Sequence, residues 1–230
     1  MTRIFCDIAK LNLIKKFNRK NIVKGFTTNP SLIRKAGAKD YEHYCKQILK
    51  STNKPVSLEV FADNYKEMIS QGIIISKWSK NLFVKVPIVN SRGIFMDKVI
   101  RKLNKKGIKL NITAVYSHKQ TKRILKNIDK KTDVIISIFA GRMADKGIDP
   151  IPEFKKSISL SKSFKNVKIL WASTREPYNY LQAKQLNCHL ITIPPTMIEK
   201  IENFGITKNK LSIITVKNFL SDSKKSKFKL

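Results

Sequence analysis

Lys85 is the only charged side chain in the apolar run Leu82-Phe83-Val84-Lys85-Val86-Pro87, where a buried strand should end. An ammonium group there is costly unless it is paired, solvated or neutral, and a neutral lysine is a nucleophile. The bland alternative is a lysine that snorkels from a strand end to solvent. Polar residues close other apolar runs in the same way: Asp7, then Thr27-Thr28-Asn29-Pro30-Ser31, Glu59, Asn111 with Thr113, Ser137 with Arg142, and Ser173 with Arg175. Each has a structural explanation of its own. Asp7 can cap a helix, Asn29-Pro30-Ser31 can form a turn and N-cap, Asn111 and Thr113 can satisfy backbone, and the arginines can pair with surface carboxylates. Together they supply a nucleophile, two acids or bases and an anion-binding pair.

The elements that must position them follow from hydrophobic spacing. Short apolar segments recur at Ile4–Asp7, Val23–Thr27, Val56–Val60, Leu82–Val86, Leu110–Ile112, Val134–Phe139, Val167–Ala172 and Leu190–Ile193. Segments of helical period lie between them. Ser91–Lys106 is the clearest, with Phe95, Val99, Ile100 and Leu103 on one face and Gly107 as a stop; Asp63–Ser79 and Ser117–Ile128 carry comparable stripes. Eight strand-helix repeats predict a single α/β domain, a (β/α)8 TIM barrel over residues 1–220 with a C-terminal helix, followed by a basic tail over 221–230. An open doubly wound sheet is the competing architecture, but neither a Gly-x-Gly-x-x-Gly turn nor a Walker loop accompanies the first strand. A barrel concentrates chemistry at the carboxyl ends of its strands, where the polar residues fall.

Composition narrows the function classes. The 230 residues are 42% hydrophobic, enough for a sizeable core. Cys6, Cys45 and Cys188, like His43, His118 and His189, are mutually distant in sequence, so neither a disulfide framework nor a metal site is expected. Without an apolar leader or a membrane-length apolar segment, the expectation is a cytoplasmic chain. Lysine and arginine number 47 against 16 acids, a net charge of +31. That excess would attract polyanions, yet it is lysine-dominated, spread along the chain and free of any nucleic-acid-reading motif. A basic polyanion-binding barrel remains the non-enzyme alternative, and no specific nucleic acid is expected as partner.

The motifs Cys6-Asp7-Ile8-Ala9, Lys24-Gly25-Phe26-Thr27-Thr28-Asn29-Pro30-Ser31-Leu32, Val56-Ser57-Leu58-Glu59-Val60 and Val84-Lys85-Val86-Pro87 fall in one order along the chain. Asn111-Ile112-Thr113-Ala114-Val115-Tyr116-Ser117, Ser137-Ile138-Phe139-Ala140-Gly141-Arg142, Ala172-Ser173-Thr174-Arg175 and Ile193-Pro194-Pro195 continue it. In order and approximate spacing these stretches resemble the transaldolase family, in its small-subunit branch that includes fructose-6-phosphate aldolases. The resemblance implies a class I aldolase mechanism without metal or other cofactor. Lys85 would form a Schiff base with a ketose phosphate, Glu59 would act as general acid/base through a water held with Thr113, and Asp7 would handle the substrate hydroxyl. Asn29, Asn111, Thr28, Ser137 and Phe139 would contact substrate, and Arg142, Ser173 and Arg175 would bind phosphate.

Glu59 and Phe139 match the transaldolases, whereas the aldolases typically carry glutamine and tyrosine there. The implied reaction transfers a dihydroxyacetone unit, from sedoheptulose 7-phosphate to glyceraldehyde 3-phosphate, giving erythrose 4-phosphate and fructose 6-phosphate. A fructose-6-phosphate aldolase or a specialised sugar-pathway aldolase is the enzyme alternative. Departures from the family pattern are Ile8, Val89 and Ile138, and Trp171 adds a large ring beside the phosphate segment. Small relatives form homo-oligomeric rings of five or ten subunits, and Ile213, Val216, Phe219 and Leu220 offer an apolar stripe that could pack on a neighbour or on its own barrel.

Overall fold

The structure, a computed structural model, describes residues 1–226. Eight strands, β1 (Arg3–Asp7), β2 (Val23–Thr27), β3 (Val56–Glu59), β4 (Leu82–Pro87), β5 (Leu110–Val115), β6 (Val134–Phe139), β7 (Val167–Ala172) and β8 (Leu190–Ile193), pair in parallel. Their order is sequential, and β1 pairs with β8 to close the barrel. The helices are α1 (Leu11–Asn18), α2 (Pro30–Lys35), α3 (Tyr41–Lys50), α4 (Tyr65–Ser76), α5 (Asp97–Lys105) and α6 (His118–Leu125). They continue as α7 (Ala140–Ala144), α8 (Ile151–Ser161), α9 (Asn179–Gln185), α10 (Pro195–Ile201) and α11 (Lys208–Ser226).

Two cores follow from the alternation of side chains along each strand. Outward residues such as Val84, Val86, Ile112 and Ile136 are buried against Val99, Leu103, Ile124 and Phe154 of the surrounding helices. Inward residues Phe5, Ile135, Leu170, Ala172 and Leu190 form a second cluster that fills the barrel, with Phe83 and Phe139 packed on it. The inner cluster keeps the barrel from being a pore, so ligands have access only at its two ends. All three cysteines are free and buried. Burial pushes the Cys45 and Cys188 thiols up to about 12, as inert core residues should be.

Local signals set the helix ends. Ser117 and Gln120 form a capping box on α6, and Asn64 caps α4 by accepting from the Glu67 N–H at 3.0 Å. Gly107 stops α5 with φ +72°. The expected helix over Ser91–Lys106 instead begins at Asp97. The Asn90 side chain accepts from the Arg92 and Ile94 N–H groups, Gly93 has φ +75°, and Phe95 bridges Val89 in a tight turn. Phe95 therefore leaves the helical stripe and lies under the Arg123 guanidinium, 3.7 Å from its carbon.

Trp171 faces outward, stacked on Phe154 at 4.4 Å, so its ring belongs to the core and not to the mouth beside Ser173. The final helix, α11, runs unbroken through residue 221 to Ser226, with its residues exposed. Lys224 and Lys225 lie on its last turn, and Lys227 is outside the described residues. Among the described residues, no helix is long and apolar enough to cross a membrane.

Candidate active site at the carboxyl-terminal mouth

Strand register assembles the site. In β3, β4 and β5, Glu59 pairs with Lys85 and Lys85 with Asn111, so three inward polar side chains stand abreast on adjacent strands. Asp7 and Thr27 are likewise register partners across β1 and β2. A cavity of about 250 Å3 opens over them, lined by Asp7, Asn29, Lys85, Asn111, Ser137 and Arg142 among others.

Lys85 is 7% exposed and is paired, the first of the three conditions under which its burial is tolerable. Its Nζ lies 3.0 Å from Glu59 Oε2 and donates to the Thr28 carbonyl at 3.1 Å. Glu59 is thus placed to take a proton from the ammonium, and the Thr28 carbonyl to hold the amine in position. The Thr28 hydroxyl is fully buried and donates to the Ser57 carbonyl at 2.9 Å. The Thr28 side chain thus turns to β3, and its carbonyl is the atom that meets Lys85.

Asp7 accepts from the Thr27 hydroxyl at 2.7 Å, and Thr27 in turn contacts the Thr192 hydroxyl. Burial pushes the Asp7 carboxyl above its ordinary value; the Thr27 hydrogen bond and the Lys85 charge pull it back. A carboxylate so desolvated is a stronger base than an exposed one. Thr27 and Thr192 had no assigned role in the sequence, because the bond between β1, β2 and β8 forms only on closure.

Asn111 is fully buried and bridges three strands: its Nδ2 donates to Ser57 Oγ at 2.9 Å and its Oδ1 accepts from Ser137 Oγ at 2.6 Å. This relay fixes the amide and commits the Ser137 proton. Asn29 caps α2 by accepting from the Leu32 N–H at 2.9 Å, so the capping explanation holds while its other amide end remains available to the cavity. Thr113 is 2% exposed, and its hydroxyl has no protein partner among the described residues. The adjacent Ala114 has φ +57° at an irregularity in the β5–β6 register, which re-aims this stretch of β5.

At the far side of the cavity, Arg142 stacks on Phe139 with 5.2 Å from guanidinium carbon to ring centroid, and Phe139 meets Tyr116 edge-on at 5.9 Å. Arg142 has no carboxylate partner among the described residues. Arg175 does: Nε donates to Asp145 at 2.8 Å, and Nη1 donates to the Ser173 hydroxyl and carbonyl at 3.1 Å each. Ser173 adopts φ +63°, a left-handed conformation held by that arginine and by close packing of Gly141. A Cβ on Gly141 would stand 1.7 Å from the Ser173 carbonyl oxygen. Asp145 and Gly141 are the functional neighbours that motif reading missed; Gly141 lay within a quoted motif, and Asp145 three residues after Arg142 was the available signal.

The arrangement can hold an anion at one end of the cavity and present an amine, a paired carboxylate and a buried second carboxylate at the other. The family model described as Transaldolase/Fructose-6-phosphate aldolase matches residues 4–230. A probable transaldolase of Nitrosopumilus maritimus is 33% identical over 229 residues, covering 98% of this chain and 96% of that protein. A probable transaldolase of Bdellovibrio bacteriovorus is 30% identical, covering 99% of this chain and 100% of the other. A solved structure described as native KDPGal shares the barrel fold at 9% identity, with a TM-score of 0.53, covering 90% of this chain and 87% of its own.

Proposed function

Because the chain belongs to the transaldolase/fructose-6-phosphate aldolase family, we propose that it transfers a dihydroxyacetone unit between sugar phosphates through a Schiff base on Lys85. The observation that carries this reading is Lys85, paired with Glu59 at 3.0 Å and lining the same cavity as Asp7, Arg142 and Arg175. Arg142, Ser173 and Arg175 bind the phosphate of the donor ketose, sedoheptulose 7-phosphate or fructose 6-phosphate. Glu59 accepts a proton from the Lys85 ammonium, and the amine attacks the C2 carbonyl. Glu59 then returns a proton as the carbinolamine loses water; the buried Thr113 hydroxyl, unpartnered among the described residues, supports its role in holding the water between them.

Asp7 removes the proton of the C4 hydroxyl, the C3–C4 bond breaks, and its electron pair flows into the protonated imine as the aldose leaves. The three-carbon enamine on Lys85 attacks the next aldose carbonyl, and the steps reverse. Asn111, anchored by Ser57 and Ser137, and Asn29 orient substrate hydroxyls. The Phe139 ring lacks a hydroxyl that would order a hydrolytic water, which favours transfer over release of free dihydroxyacetone.

The test is intact mass after incubation with fructose 6-phosphate and borohydride, with and without erythrose 4-phosphate. The expected outcome is a three-carbon adduct on Lys85, trapped by borohydride, whose unreduced form the acceptor discharges quickly and water slowly. Absence of an adduct with a panel of ketose phosphates sinks the Schiff-base assignment; rapid release of dihydroxyacetone reassigns the chain to the aldolase branch. Replacing Phe139 with Tyr should speed discharge by water.

The same reading places the enzyme in the cytoplasm and in a ring of five or ten subunits. The exposed side chains Ile213, Val216, Phe219 and Leu220 on α11 support packing on a neighbouring copy. The full-length Val216→Glu/Phe219→Glu variant should lose mass by light scattering, and an unchanged mass argues against that assembly.

A further inference from the structure

The barrel has a second mouth, at the amino-terminal ends of its strands, and a cavity of about 330 Å3 occupies it. Its apolar floor includes Phe5, Phe83 and Leu190, the underside of the inner core. Arg3, Lys24, Lys109 and Lys168 line it, against one carboxylate, Asp133.

Strand alternation explains the convergence. Arg3 lies two residues before the inward Phe5, Lys109 two before Asn111, and Lys168 two before Leu170, so all three share the inward register of β1, β5 and β7. Lysines on an outer helix face splay into solvent, where water and salt screen them. Inward residues at strand starts are instead brought toward one axis above a low-dielectric floor. The general lysine excess supplies the residues, and the register concentrates them.

Among the described residues, none of these four cations is within ion-pair distance of a carboxylate. Lys109 and Lys168 donate only to the Lys80 and Lys165 carbonyls, at 3.1 and 3.2 Å. The field reaches the neighbouring His189, whose imidazole is held below its ordinary value by burial and then by the Lys168 and Arg3 charges. Neutral His189 accepts the Ile169 N–H at 3.1 Å through Nδ1. At the catalytic mouth, by contrast, Lys85 and Arg175 are matched by Glu59 and Asp145.

We propose that the amino-terminal mouth binds a compact anion carrying two or more phosphate groups, at a site separate from the catalytic cavity. A second phosphate adds charge for the four rim cations, which outnumber the single carboxylate, and a volume of about 330 Å3 favours a compact anion over a large polyanion. Binding only to the folded barrel relieves like-charge repulsion and raises its stability.

Calorimetric titration of the full-length chain with inorganic pyrophosphate, at fixed ionic strength, tests the site. All proteins carry Arg142→Gln to weaken the proposed catalytic phosphate position, so that the amino-terminal mouth dominates the titration. Adding Arg3→Gln/Lys168→Gln should weaken pyrophosphate binding by at least about tenfold, the loss expected from removing two charge-assisted contacts. The control Lys102→Gln/Lys105→Gln on the exposed side of α5 makes the same charge change and should alter affinity less than about twofold. In a chain with Arg142 intact, Arg3→Gln/Lys168→Gln should leave formation of the Lys85 adduct unchanged.

Unaltered binding in the rim variant, an equal loss in the α5 control, or equal affinity for orthophosphate overturns the proposal. Should the rim variant fail to fold, Lys24→Gln/Lys109→Gln carries the same expectations.

Discussion

Asp145 holds Arg175 through its Nε and Nη2 protons, while the Nη1 of the same guanidinium clasps Ser173 in its left-handed turn. The hydrogen bond from Arg175 keeps the Asp145 carboxyl below its usual range. Arg175 therefore shapes the loop with most of its donors, and Arg142, stacked on Phe139 with no ion-paired acid among the described residues, has the freer charge. Arg142→Gln should raise KM for fructose 6-phosphate about ten- to a hundredfold with a smaller change in kcat. Asp145→Ala, which releases the loop, should raise KM only about three- to tenfold. Steady-state kinetics with fructose 6-phosphate and unphosphorylated fructose as donors checks this order, because KM for the unphosphorylated donor should not feel either change.

Gly141 lies where the β6 loop touches the β7 loop, and any Cβ there meets backbone rather than a movable side chain. Gly141→Ala should cost about 1–3 kcal/mol by overpacking, seen as a fall in Tm of roughly 3–10 °C. Its KM for phosphorylated donor should rise together with that loss.

Glu59 is the carboxylate nearest the Lys85 ammonium. Glu59→Gln should slow adduct formation by about 10²–10⁴-fold, the usual range for loss of a positioned acid/base. Borohydride trapping measured over time reads this step directly. A Glu59→Gln protein that traps at the parent rate would exclude the proton-transfer role.

Asp7 carries a pH-dependent stability cost. Its folded carboxyl is raised above the unfolded value by burial, so the folded state binds more protons between the two values and stability falls as pH rises through that window. Asp7→Asn removes the cost. The variant should melt above the parent at pH 8, with the advantage disappearing as pH falls to the ordinary carboxylate range of about 4. It should form a borohydride-reducible six-carbon adduct on Lys85 with fructose 6-phosphate but lose carbon–carbon cleavage, and with it transfer, by about 10²–10⁴-fold. Thermal melts across pH, paired with the mass assay, separate the two effects.

Loop-forming residues were the least legible part of the chain. Phe95 had the right spacing for the α5 stripe, yet Asn90 and Gly93 fold that segment into a turn first. Thr28 stood inside a strong motif, but motif position carries no information on which way a side chain turns; burial sent its hydroxyl to Ser57.

By itself the sequence determined the eight strand-helix repeats, the core faces and the placing of Lys85, Glu59, Asp7, Arg142 and Arg175 at or just after strand ends, because hydrophobic period and residue chemistry are local properties. Only the tertiary structure decided which of them meet. Thr27 with Asp7 and Thr192, Asn111 with Ser57 and Ser137, and Arg175 with Asp145 join residues 20 to 165 positions apart. The barrel's register and closure bring them within hydrogen-bond distance, and a one-residue slip would turn each side chain to the opposite face.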